Sequence, residues 1–167
     1  MDSSEFGVKV LPLQISMYRL AMSVLKNREE AEDVVQEIFY RLWKIRSSLI
    51  ELQNLKAYAL KITKNLCLDR IKLRKQVTGE IEKMHLRSSQ QTPHQKLETS
   101  NLLEIIQSII ATLPEQQQLI VHLRSVEGLS MEEISEVTEM SINSIRVSLS
   151  RARKSINEIY QLRFNHG

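Results

Sequence analysis

The sequence predicts an all-α fold, two small helical domains joined by a linker, and three observations carry that reading. Glycine and proline number only 4 and 3 in 167 residues, about 2% each against a usual ~7% and ~5%, so turns are few. Leu, Ile, Glu, Lys and Arg, which tolerate or favour helix, are abundant. Apolar residues recur at helical spacing, and most of the runs open on a Ser, Thr or Asn able to cap a helix.

Taken in order, Pro12 precedes LQISMYRLAMSVLK, whose apolar positions 13, 17, 20 and 24 share one helical face. Asn27 with Glu30 reads as a capping box for a helix reaching about Ile45, with Val34, Val35, Ile38, Phe39, Leu42 and Trp43 as its apolar positions. Asn54 starts a third helix that ends near Lys75. Between Val77 and Ser100 the apolar stripe lapses into polar sequence such as SSQQTPH, with at most a short turn at IEKMHL, which reads as a linker. A second block opens near Asn101. Thr112 to Glu115 reads as a capping box with Pro114 in the first turn, and Gly128 as the residue that ends that helix. Ser130 with Glu133 caps a short helix, and Ser141 caps the last one. The expected division is 8–76, linker 77–100, and 101–163.

Several function classes drop out. The glycines, at 7, 79, 128 and 167, are too dispersed for a dinucleotide or phosphate loop. The lone Cys67 allows neither an internal disulfide nor a cysteine zinc cage, and His85, His94, His122 and His166 never stand at the spacing of a helical metal pair. Neither metal nor cofactor is expected, and no catalytic constellation emerges, so the chain does not read as an enzyme. No apolar run approaches the roughly 18 residues that span a bilayer, and MDSSEFGVKV lacks the order of a signal peptide; a cytoplasmic protein without membrane insertion is expected. Cys67 is expected to be buried and inert, and Trp43 and the methionines to pack in the core.

Charge is distributed unevenly. Residues 54–76 hold seven cations, Lys56, Lys61, Lys64, Arg70, Lys72, Arg74 and Lys75, against Asp69 alone. Residues 101–140 reverse the balance, with seven glutamates against Arg124 alone, and 141–163 returns a net +4. Two basic segments far apart in sequence suit a protein that touches a polyanion at two places.

Residues 130–156 have the layout of a helix-turn-helix: a short helix, a tight turn around Met140 and Ser141, and a longer basic helix. Ile142, Ile145, Leu149, Ala152 and Ile156 fall on its inward face. Asn143, Val147, Ser150, Arg151 and Lys154 face away, with Arg146 on the flank. Arginine reads guanine edges in the major groove and Ser or Asn adapts to either base edge, while Arg153, nearer the apolar stripe, suits phosphate.

These residues resemble a known family. GLSMEEISEVTEMSINSIRVSLSRARKSI is similar to the −35-reading helix-turn-helix of sigma factors, and LPEQQQLIVHLR to the helix before it. REEAEDVVQEIFYRLWK resembles the family's polymerase-binding helix, and NLKAYALKITKNLCLDRIKLRK its −10 promoter helix. The order and the size resemble the small extracytoplasmic-function (ECF) class of the sigma-70 family. Glu139 and Asn143 stand where the family pattern has glycines, and Ser148 where it often has arginine.

The resemblance implies a DNA-binding transcription initiation factor that directs core RNA polymerase to promoters; a stand-alone helix-turn-helix regulator is the alternative. It makes 8–76 sigma region 2 and 101–163 sigma region 4. Asp33, Gln36 and Glu37, on one polar helix face, would contact the polymerase β′ subunit, with β the further polymerase partner. Asn65 would help hold a flipped −10 base, with Lys61, Lys64, Arg70, Lys72, Arg74 and Lys75 along the DNA backbone. Tyr58 replaces a frequent family Trp, and with few stacking aromatics the implied melting power is modest. The −35 set would be Asn143, Arg146, Val147, Ser150, Arg151, Arg153 and Lys154. An anti-sigma factor is an implied partner.

Overall fold

The computed structural model describes residues 1–78 and 102–165, and every regular element among them is helical. The N-terminal half contains α1 (Ser3–Val10), α2 (Gln14–Leu25), α3 (Arg28–Lys44) and α4 (Leu55–Thr78), with 3-10 turns at Leu11–Leu13 and Ser48–Glu51. The C-terminal half contains α5 (Leu102–Ile110), α6 (Glu115–Val121), α7 (Met131–Thr138) and α8 (Ile142–Phe164), and α6 runs into a π turn at His122–Val126. Val77 and Thr78 close α4; the rest of the expected linker, with the turn expected at IEKMHL, lies outside the described residues.

Side-chain caps explain most of the starts. Asn54 Oδ1 accepts from the Ala57 amide at 2.9 Å and opens α4. Ser130 and Glu133 form the reciprocal box of α7, and Ser141 Oγ accepts from the Ser144 amide to open α8. Asn27 Oδ1 accepts from the Glu30 amide, but the Glu30 carboxylate is taken by Arg74 of α4, so only half of that box forms. The box expected from Thr112 to Glu115 does not form. Pro114 is itself the N-cap of α6, and the Thr112 hydroxyl donates backward to the Ile109 carbonyl, finishing the turn after α5. The sequence reading began at residue 8 and passed over α1, which Asp2 and Glu5 open with a full capping box of their own.

The first core packs α2, α3 and α4 through Met17, Ala21, Val34, Val35, Ile38, Leu42 and Cys67, with Phe6 and Val10 of α1 against it. Cys67 is fully buried, as expected, and burial pushes its thiol pKa up to about 12. Trp43 is not core: it is 36% exposed, its ring edge-on to Phe6 and covered by the Arg46 guanidinium.

The second core gathers Leu113, Ile120, Leu123, Ile134, Val137, Ile145, Leu149 and Ala152. The stripe expected on α8 therefore points inward; each fully buried large aliphatic there contributes about 1.5–3 kcal/mol, and Ile145→Ala would cost about 2–5 kcal/mol. Leu20 of α2 and Ala57 and Leu60 of α4 belong to this second core, so the two halves share apolar packing.

Candidate nucleic-acid interface

The α7–α8 turn is set by local chemistry. Glu139 ends α7 in the left-handed region, φ 61°, and donates its amide to the Ser135 carbonyl. Ser135 Oγ donates to the Met140 carbonyl at 2.6 Å, and the Thr138 hydroxyl accepts from the Met140 amide. The family glycine is thus replaced by a residue that adopts the glycine conformation, at about 1–2 kcal/mol, within a web of side-chain bonds. Asn143, the other departure, lies in ordinary helix. Gly128, at φ 68°, supplies another left-handed position, between the π turn and α7.

With Ile145, Leu149 and Ala152 buried, Asn143, Arg146, Val147, Ser150, Arg151, Arg153 and Lys154 are all exposed. The first turns of α8 offer small polar residues and two long cations on an outward face, which suits entry into a major groove.

Helix α4 divides its cations between two sides. At roughly 100° per residue, Lys61, Lys64, Asn65, Lys72 and Lys75 share one side, and Arg70 and Arg74 the other. Arg70 Nη2 donates to Glu37 Oε2 at 3.1 Å, and Arg74 pairs with Glu30, so both arginines bind α4 to α3. Asn65, Lys72 and Lys75 are exposed. Lys61 is half-buried, its ammonium 3.2 Å from Glu139 Oε1, and Lys64 is only 7% exposed. Burial lowers the Lys64 pKa, as does the neighbouring Lys61, with Glu139 acting against both.

On α3, Asp33 and Gln36 stand exposed beside the partly covered Glu37. Burial raises the Glu37 carboxyl pKa, but hydrogen bonds from Arg41 (2.5 Å) and Arg70 outweigh it and leave the group below its ordinary value. The three share one helix face, yet Glu37 already has partners within the chain.

The sequence reading missed the contacts that join the halves. Arg19 of α2 donates to Glu127 from Nε and Nη2, Lys56 Nζ donates to the Glu127 carbonyl at 2.9 Å, and Asn54 Nδ2 donates to Glu133 Oε1 at 2.8 Å. The Glu127 side chain is wholly buried. His122 faces it at 3.4 Å without forming a hydrogen bond, and burial, offset in part by Glu127, lowers the imidazole pKa. The signal for these contacts was the mirrored charge of 54–76 and 101–140. Among the described residues no helix is long and apolar enough to cross a membrane, and no group of His, Cys, Asp and Glu could hold a metal.

Comparison with known proteins agrees with this geometry. The family model for Sigma-70 region 2 matches residues 12–77, and that for Sigma-70, region 4 matches 103–156; together they cover more than two-thirds of the chain. The chain is similar to the ECF RNA polymerase sigma factor SigE of Mycolicibacterium smegmatis, 27% identical over 85% of this chain, of which it spans only 56%. It is also similar to the RNA polymerase sigma factor SigV of Bacillus subtilis, 29% identical over 82% of this chain and 80% of SigV. The sigma factor RpoE of Bartonella quintana, solved in complex with the anti-sigma factor NepR, has the same fold, with a TM-score of 0.77 at 22% identity over 94% of this chain and 97% of RpoE. With both regions matched in order and the helix-turn-helix and basic helix formed where they fall, the chain belongs to the sigma-70 family, in its extracytoplasmic-function class.

Proposed function

We propose that this chain directs core RNA polymerase to specific promoters and supplies no catalytic chemistry of its own. The observation that carries the reading is the outward face of α8, Asn143, Arg146, Val147, Ser150 and Arg151, formed on the same chain as the basic side of α4. In this reading α8 reads the −35 element by base edges, with Arg153 and Lys154 on phosphate. Helix α4 takes the −10 element through Asn65, with Lys61, Lys64, Lys72 and Lys75 along the backbone. Arg70 and Arg74, predicted from sequence to join them, would first have to leave Glu37 and Glu30. Asp33, Gln36 and Glu37 dock on polymerase β′, residues 79–100 join the two domains, and an anti-sigma protein is a further partner. All of this takes place in the cytoplasm.

A stand-alone helix-turn-helix regulator would leave the acidic face of α3 and the second basic helix without a role. Run-off transcription with core polymerase, on a promoter selected from a random library, tests the proposal. Promoter-dependent transcript is expected only when the chain is added; operator binding without polymerase association or transcript would overturn it.

A further inference from the structure

A cavity of about 310 Å³ opens between α2, α4 and α6, beside the turn that follows α7. Each of these elements gives it an apolar wall: Val24 from α2, Leu68 and Ile71 from α4, Leu119 from α6 and Met140 from the turn. One ammonium group is set among them. Lys64 lines the cavity at only 7% exposure, and its Nζ makes no hydrogen bond or ion pair with any described residue. Glu139, whose charge acts on Lys64, is paired to Lys61 instead. The neighbouring Gln118 side chain donates to the Ala111 and Leu113 carbonyls, and the Thr138 hydroxyl to the Ile134 carbonyl, so neither is left to donate into the cavity. Lys26, Glu115 and Gln116, all exposed, form the rim.

A covered ammonium without a partner costs free energy. Water answers it poorly here, because an ordered water needs about two to four polar partners and these walls are mostly apolar. We infer that the cavity is a binding site for a small amphiphilic monoanion, a carboxylate on a short aliphatic body, with Lys64 holding the headgroup and Val24, Leu68, Ile71, Leu119 and Met140 enclosing the body. The volume lies at the lower end of the roughly 300–1,000 Å³ of small-molecule sites, which suits one short chain and not a nucleotide or a two-chain lipid. Glu115 at the rim disfavours a second negative charge, and so a phosphate monoester. Burial lowers the Lys64 pKa, and a carboxylate bound beside it acts in the opposite direction. The helical phase of α4 groups Lys64 with the cations given to DNA, but its covered, apolar surroundings suit this smaller anion better.

The test titrates the full chain with octanoate, octanol, octylamine and acetate, and follows backbone amide resonances. Octanoate should bind saturably and shift the amides of Val24, Lys64, Leu68, Leu119 and Met140. It should bind about tenfold tighter than octanol, the difference expected of one charge-assisted hydrogen bond, and octylamine should bind most weakly. Acetate, with the same charge and no body, should leave those amides unmoved. In Lys64→Met, which keeps the length of the side chain and removes its charge, octanoate should fall to the affinity of octanol while octanol itself is unchanged. No saturable binding of octanoate, equal affinity for octanoate and octanol in the parent, or a carboxylate preference that survives in folded Lys64→Met would each overturn the inference. So would octanoate shifts centred on the exposed Arg146 and Arg151, which would mean unspecific capture of an anion. The series on the parent decides the matter even where Lys64→Met does not fold.

Discussion

Arg19 holds Glu127 through two nitrogens, at 3.0 and 3.2 Å, and so ties the second helix of the chain to a carboxylate more than a hundred positions away. The carboxylate is wholly buried while the guanidinium is 45% exposed, so the pair is dry on one side only. Arg19→Ala leaves a buried carboxylate with Lys56, the Ser16 hydroxyl and an imidazole whose pKa burial lowers. The expected cost is about 1–3 kcal/mol, the range for a buried polar group that loses its partner. Urea denaturation of Arg19→Ala beside Arg19→Lys measures it, and equal stability of Arg19→Ala and the parent would show that water replaces the guanidinium without penalty.

His122 and Glu127 make stability depend on pH in the same direction. The folded-state pKa of His122 is lowered by burial, so the unfolded chain binds the proton more readily and stability declines as pH falls below about 6.5. Burial raises the Glu127 carboxyl pKa, but the Arg19 hydrogen bond reverses the balance and the net value is lowered, so its contribution is present above about 4.3 and disappears at lower pH. Denaturation midpoints at pH 7.5 and 5.5 should differ in the parent and converge in His122→Gln. A pH-independent midpoint in the parent would contradict the buried neutral imidazole.

Glu139→Gly separates two effects of one residue. Removing the left-handed strain should stabilise the helix-turn-helix by about 1 kcal/mol, while loss of the carboxylate frees Lys61. Hydrogen exchange should show amides of α7 and α8 better protected and those along the N-terminal part of α4 less so. Uniform change in both places would mean that the turn and the contact are not separable.

On α3, Asp33 and Glu37 should respond differently to charge reversal. Asp33→Lys changes an exposed side chain and should abolish co-purification with core polymerase at unchanged thermal stability. Glu37→Lys also breaks the Arg41 and Arg70 pairs and should lower the melting temperature as well. Full polymerase binding by folded Asp33→Lys would remove that residue from the docking surface.

Promoter libraries at two salt concentrations test the α8 face. Arg146→Ala or Arg151→Ala should cost about 1–3 kcal/mol at one −35 base pair and flatten preference there. Lys75→Ala should weaken all promoters alike and reduce the salt slope by about one. Uniform loss with preferences intact in the arginine variants would assign them to positioning.

The parts of this structure legible in the sequence are those settled within a few residues. Asn54, Ser130 and Ser141 cap their helices because a side-chain oxygen three residues before a free amide needs no other partner. Ile145, Leu149 and Ala152 are buried because helical phase permits no other arrangement. Glu30 escaped the same logic: Arg74, 44 residues on, competes for its carboxylate. Trp43 also could not be placed from phase alone, since its exposure depends on Phe6 of the overlooked first helix. The charge runs were visible at once, but sequence counted them as surfaces for other molecules and could not show that Glu139 and Lys61 meet each other.

The chain's single thiol has a practical consequence. Burial leaves Cys67 without exposed surface and pushes its thiol pKa up to about 12, so the group stays protonated at neutral pH. Neither a peroxide pulse nor an alkylating reagent finds a nucleophile there while the fold is intact. Oxidative stress therefore has no handle on this protein through sulfur chemistry at that position, and any covalent thiol adduct at Cys67 would report unfolding.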